Sequence, residues 1–129
     1  MKVVLEIQNR NDVFNGRDTY RIMVDTDGLS VVREKIMAKS EYGWGYIVGY
    51  AVVIKNSNSG EVFYTREFKK QVENKKHDVE SEKVSFMDVT QQCNKEMTLT
   101  IQKIQDAINY AKKRHLDFTE PIQLEHYGH

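Results

Sequence analysis

Apolar and polar positions near the amino end alternate with the period of two that marks extended backbone. Met1-Lys-Val-Val-Leu-Glu-Ile7 predicts a strand over Val3 to Ile7. The polar segment Asn9-Arg-Asn-Asp-Val-Phe-Asn-Gly16 reads as a turn, and Tyr20 to Val24 predicts a second strand antiparallel to the first. Leu29 to Lys39, with Val31, Val32, Ile36 and Met37, reads either as a short helical turn or as an irregular connection. Tyr46-Ile-Val-Gly-Tyr-Ala-Val-Val-Ile54 is almost continuously apolar, as a strand buried on both faces must be. Asn56-Ser-Asn-Ser-Gly60 is a turn cluster, and Glu61 to Phe68 alternates through Val62, Tyr64 and Phe68 as a hairpin partner.

The period then lengthens. After a charged stretch from Gln71 to Ser85, centred on Lys75-Lys-His-Asp78 and read as a solvated connection or frayed helical start, apolar residues recur every three or four positions. Phe86, Cys93, Met97, Ile101, Ile104, Ile108 and Ala111 trace one stripe of a helix that reaches about Arg114. Lys112, Lys113 and Arg114 fall in its last turn, where cations suit the helix dipole. Asp88 and Gln91 have capping-box spacing, which starts the helix there or a turn or two earlier. Pro121 opens a short final strand, Ile122-Gln-Leu-Glu125. The expected fold is α+β: the Tyr20, Tyr46 and Glu61 strands in one sheet, with the Met97 to Ala111 stripe packed on its face.

The 129 residues are expected to form a single domain, 1–129. Lys plus Arg equals Asp plus Glu at 19 each, so no global field draws the chain to nucleic acid or to an anionic membrane; local patches stay open. No apolar stretch approaches a membrane span, and Glu6 interrupts the amino end too early for a signal-peptide core. Cys93 alone cannot form an internal disulfide, and a reduced, cytoplasmic compartment is expected.

Two segments carry candidate chemistry. Tyr20-Arg-Ile-Met-Val-Asp-Thr-Asp-Gly28 ends an apolar run in two carboxylates, and a strand continued through them puts Met23, Asp25 and Asp27 on one face. Paired acids either titrate upward or recruit a cation, which makes them candidate Mg²⁺ or Mn²⁺ ligands. The plainer account is an Asp-Gly turn. The second segment is Tyr42-Gly-Trp-Gly-Tyr-Ile-Val-Gly-Tyr50, whose Trp44, Tyr46 and Tyr50 either stack on bases or a nucleotide or pack in the core or a subunit interface. Lys39, Lys55 and Arg66 are the candidate phosphate contacts, and Gly49 marks a bulge or a close backbone approach. There is no phosphate-loop pattern. Cys93 reads as a core residue, and His77, His115 and His126 have no metal-ligand spacing with it.

Thr26-Asp27-Gly28 resembles the Thr-Asp-Gly that closes the first core strand of ribonuclease H, and Glu96-Met97 resembles the glutamate near the start of that fold's first helix. The likeness is closest to the small YkuK-type bacterial family of ribonuclease-H-like proteins and runs from about Tyr20 to Glu125. It implies a mixed ribonuclease-H-like sheet with an antiparallel hairpin and one long helix on its face. It also implies catalytic carboxylates at Asp27, Glu96 and Glu125, with Asp25 as an extra metal ligand. A glutamate at position 125 departs from the usual aspartate, and the usual fourth acid has no counterpart; His126 and His129 are weak substitutes. Two divalent ions held by such a set can activate water for phosphodiester cleavage. The leading expectation is therefore a metal-dependent nuclease acting on RNA or DNA. Its alternatives are a noncatalytic nucleic-acid- or nucleotide-binding module using Trp44, Tyr46, Tyr50 and Arg66, and an interaction or inhibitor protein that oligomerises through a sheet edge.

Overall fold

Strand β1 (Lys2–Asn11) lies between two partners. It runs antiparallel to β2 (Gly16–Asp25), with Val3 opposite Val24 and Leu5 opposite Ile22, as the alternation predicts. On its other side it is parallel to the last strand, in which Ile122 sits beside Leu5 and Leu124 beside Ile7. The computed structural model describes residues 1–11, 16–70 and 79–128, with side chains described at 1–8, 18–70 and 88–125.

Leu29 to Lys39, for which the sequence suggested a helical turn or an irregular connection, is a full strand, β3 (Leu29–Lys39). It pairs antiparallel along its length with β4 (Gly45–Asn56), which pairs in turn with β5 (Val62–Lys69). Its mixed spacing hid the strand because one end packs on the core while Glu34, Lys35 and Lys39 stay in water. Ala51, Val52, Val53 and Ile54 are all buried, the expected state of a central strand covered on both faces. The expected hairpin of the Tyr46 and Glu61 strands is present.

One architectural expectation fails. The Tyr20 strand belongs to the sheet β2-β1-β6, in which β6 is the last strand, Ile122–Gly128, whereas the Tyr46 and Glu61 strands belong to a separate sheet, β3-β4-β5. Periodicity tells which face of a strand is buried but not which neighbour it pairs with. Here the turn after Asp25 sends the chain into β3, and β3 finds its whole hydrogen-bonding partner in β4 rather than in β2.

Helix α1 (Val79–Lys113) starts well before Asp88 and joins the two sheets into one core. At 35 residues it is about 52 Å long, enough to cross both. Asp88 is no cap: its carboxylate accepts a hydrogen bond from Gln92 one turn on. Val89, Cys93, Thr100, Ile104 and Ala111 are buried, which confirms the stripe except at Ile101, 44% exposed. Counting in steps of 3.6 from Cys93 puts Thr100 and Ile104 on the buried face and rotates Ile101 off it. Phe86 lies outside the described side chains. Toward its carboxyl end, Ile104, Ala107 and Ile108 pack with Val3, Leu5, Ile7, Ile54, Tyr64 and Leu124 in one cluster. Shaving Leu5 or Ile54, neither exposed at all, to alanine removes about 2–5 kcal/mol from such a core.

After the helix, Lys2 exchanges backbone hydrogen bonds with Asp117 and Thr119, and the buried Thr119 hydroxyl accepts from the Val4 amide at 2.9 Å. The chain then enters β6 (Ile122–Gly128). The architecture is α+β, two three-stranded sheets and one long helix among the described residues. Among the described residues, no helix is long and apolar enough to cross a membrane.

Candidate functional site

The first candidate, the acidic pair, is a turn. β2 ends at Asp25, so Asp27 does not continue the strand and does not share its face as the alternation suggested. The Asp25 carboxylate accepts a hydrogen bond from the Asp27 amide at 3.1 Å and pairs with Lys2 at 3.3 Å. The amide hydrogen bond, followed by Lys2, lowers the Asp25 pKa, the opposite of what two crowded, unneutralised carboxylates produce. Leu29 N–H donates to the Thr26 carbonyl, and Gly28 takes φ 77°, which an L side chain adopts only under strain. Asn56 and Asn58 crowd the space where a Gly28 Cβ would stand, and Ser57 caps the Gly28 carbonyl through both its amide and its hydroxyl.

Glu96 and Glu125 come together elsewhere, around Tyr64. The Glu96 carboxylate pairs with Arg66 of β5 at 2.9 Å, each side chain about a quarter exposed. Tyr64 donates its hydroxyl proton to the Glu125 backbone carbonyl at 2.7 Å, tying the edge of one sheet to the edge of the other. Burial, with smaller contributions from the Glu96 and Glu125 charges, outweighs Arg66 and pushes the Tyr64 phenol up to about 12. This is a neutral donor beside an ion pair. It ties β5 to β6, and the Arg66–Glu96 pair beside it ties β5 to α1.

The carboxylates expected to share metal therefore split: Asp25 and Asp27 in the β2–β3 turn, Glu96 and Glu125 beside Tyr64. Among the described residues, no three Asp, Glu, His or Cys side chains form a group able to hold a metal ion. The His126 side chain and His129 lie outside the described residues, as does His77. Cys93 is fully buried, and burial raises its pKa against the lowering field of Arg33, so it is a poor nucleophile.

The second candidate is the far end of β3-β4-β5. Ser40 closes the β3–β4 loop: its amide donates to the Trp44 carbonyl, its own carbonyl accepts from Gly43, and its hydroxyl accepts from the Trp44 amide. Gly43 sits at φ 81° with open space around it. This framework holds Tyr42 at 83%, Trp44 at 76% and Tyr46 at 48% exposure, with Met37 beside Gly45 and itself more than half exposed. The core alternative for Trp44 and Tyr46 is thereby set aside. Tyr50 is only partly exposed, with the Arg33 guanidinium 4.5 Å from its ring centre, and Arg33 is fixed by Asn94 of α1 at 2.7 Å. Gly49 is both the bulge and the close approach that its place in a strand suggested: the β3–β4 register shifts beside it, and a Cβ there would overlap the Phe68 carbonyl oxygen.

Two cations expected at this surface are spent elsewhere. Arg66 pairs with Glu96, and Lys55 pairs with Glu34 at 2.9 Å. The charges that do lie near the aromatic loop are Lys35 and Lys39 on β3, Lys69, which pairs with Glu67 at 3.0 Å at the end of β5, and Lys70 after it. Sequence reading named Lys39 and missed the other three; Lys35 was lost because Leu29 to Lys39 was left without a strand, and once β3 is extended, alternation puts Lys35, Met37 and Lys39 on one face. Comparison with models of protein families, with curated proteins and with solved structures gave no match for this chain.

Proposed function

We propose that the protein is a noncatalytic binding module that engages a nucleic acid or nucleotide with the aromatic end of the β3–β4 hairpin. The observation that carries this reading is the exposure of Tyr42, Trp44 and Tyr46 together on a hydrogen-bonded loop. Leaving three large rings in water forfeits burial of roughly 2 kcal/mol each, and the Ser40 and Gly43 bonds keep them there rather than letting the loop fold back. Planar ligands are the natural match, because base–aromatic stacking recovers about 1–3 kcal/mol per base.

The nuclease expectation requires Asp27, Glu96 and Glu125 around shared Mg²⁺ or Mn²⁺, and of these the Glu96 carboxylate is paired with Arg66. Equilibrium titration of nucleotides and nucleic acids against the wild type and Trp44→Ala, with and without EDTA, tests the proposal. Binding that survives EDTA and weakens in Trp44→Ala supports the module. Cleavage that needs Mg²⁺ and falls steeply in Asp27→Asn restores the nuclease.

A further inference from the structure

Resting on that reading, we infer that the ligand is single-stranded nucleic acid, held at the loop by Tyr42 and Trp44, with Lys35 and Lys39 on one face of the hairpin and Tyr46 and Lys69 on the other. Charge and ring exposure point to the same end of the sheet.

The charge argument is local, because the chain as a whole is neutral. Around the aromatic end, Arg33, Lys35, Lys39, Lys69 and Lys70 face Glu34, Glu41 and Glu67. Glu34 is held by Lys55 and Glu67 by Lys69. At the other end of the sheet, Asp25 of β2 is neutralised by Lys2, and Lys55 stands with Asp27 and Glu61. The aromatic end thus carries more cations than acids. A phosphate backbone is drawn to that local excess of positive charge.

The rings decide which nucleic acid. In a duplex the base faces are already stacked on one another, so exposed side-chain rings gain nothing there except at an end. A mononucleotide presents one base. One stack improves affinity only about 5- to 150-fold, which leaves a lone base bound in the millimolar range or weaker. A single strand offers successive bases to successive rings, with a phosphate between each pair for the lysines on either flank. Tyr42 and Trp44 alternate with glycine, and Gly43 has no atom within 4 Å of its Cβ position, so a base can approach the backbone between them.

Trp44 is the only tryptophan in the chain, and its emission reports the site without a label. Wild type is titrated with oligothymidylate and oligouridylate strands of about twenty nucleotides, long enough for one site of this kind. A duplex of equal length and AMP are run beside them. Single strands should quench Trp44, and the duplex and AMP should not at the same concentrations. With an end-labelled strand followed by anisotropy, Trp44→Ala should bind about 5- to 150-fold more weakly. The Lys35→Ala/Lys39→Ala variant should lower the slope of log affinity against log salt by about 1.4, near 0.7 for each released phosphate contact. Equal quenching by duplex and single strand overturns the inference, as does single-strand binding that neither quenches Trp44 nor weakens in Trp44→Ala. Quenching by AMP alone overturns the single strand while keeping the nucleotide-binding reading, and no response to any of the four probes overturns both. A strand of one sugar that binds while the other does not sustains the inference and assigns DNA or RNA.

Discussion

β3 is bounded by two glycine turns that look alike in sequence and behave oppositely in the fold. At its start, Asp25-Thr-Asp-Gly28 is tied to Met1, Lys2, Asn56 and Ser57, and the Asp25 carboxylate belongs to the turn. At its end, Ser40 to Gly45 is tied only to itself and holds its aromatic side chains in water. Both turns use a glycine at positive φ. The difference is what surrounds the glycine: crowded side chains at Gly28, open space at Gly43. A motif therefore signals a site only when its local hydrogen bonds leave its reactive groups free, and by that measure Asp25 at the first turn is consumed and the rings at the second are not.

The largest expected effect breaks the distal end. Gly49→Ala puts a methyl group into the Phe68 backbone, and neither β4 nor β5 can yield without parting the strands there, so a loss of about 3 kcal/mol is expected in urea denaturation. If the aromatic end is the binding surface, ligand affinity falls in the same variant.

The paired glycines sharpen the contrast. Gly28→Ala strains the backbone and displaces Asn56, whose side chain accepts hydrogen bonds from the Asn58 and Ser59 amides, and should cost about 2–3 kcal/mol. Gly43→Ala meets only the backbone strain, about 1–2 kcal/mol. Equal losses by thermal or chemical denaturation would mean that the packing difference between the turns has no energetic weight.

Tyr64→Phe removes the hydroxyl that links β5 to β6 and should cost about 1 kcal/mol at neutral pH. Its pH dependence is more telling. The folded protein keeps the phenol proton up to about 12, above the ordinary value of 10.0, so this stabilisation is full below pH 10 and is lost as the pH rises toward 12. Wild type minus Tyr64→Phe should isolate that slope in denaturation at successive pH values; parallel curves would refute it.

The smallest effect belongs to Asp25. Its lowered pKa means that its contribution is present above 3.8, the unfolded value, and disappears as the pH falls through the lower folded value. NMR titration should find the Asp27 amide shifting in that acid range, and Asp25→Asn should abolish the shift. The amides of the distal loop should not follow it.

Most of the elements and two of the pairings, β1 with β2 and β4 with β5, were legible in the sequence, and the division into two sheets was not. Strict alternation announced β1 and β2, the continuous run Tyr46 to Ile54 announced a central strand, and the 3.6 period announced the helix. β3 was lost because its burial changes along its length, so neither period dominates. The split into two sheets was invisible because it depends on β3 choosing β4 over β2. At the candidate sites, the spacing of Asp25 and Asp27 suggested a ligand pair, and a strand that stops two residues sooner turned it into a turn. The exposure of Trp44 was equally unreadable, since Gly-Trp-Gly suits a buried ring as well as an open one. What decides it is the set of Ser40 bonds, made across a loop whose closure only the fold defines.

The parallel seating of β6 against β1 has a consequence for how the molecule assembles. β3, β4 and β5 meet through short hairpins, so their sheet closes by bringing near neighbours together. Leu5 meets Ile122 only after a loop spanning nearly the whole chain has closed, and α1 must already lie in position for β6 to reach its place. Loop closure on that scale is slow relative to hairpin formation. The hairpins of the sheet that carries the aromatic loop are thus expected to form before the β1–β6 seam.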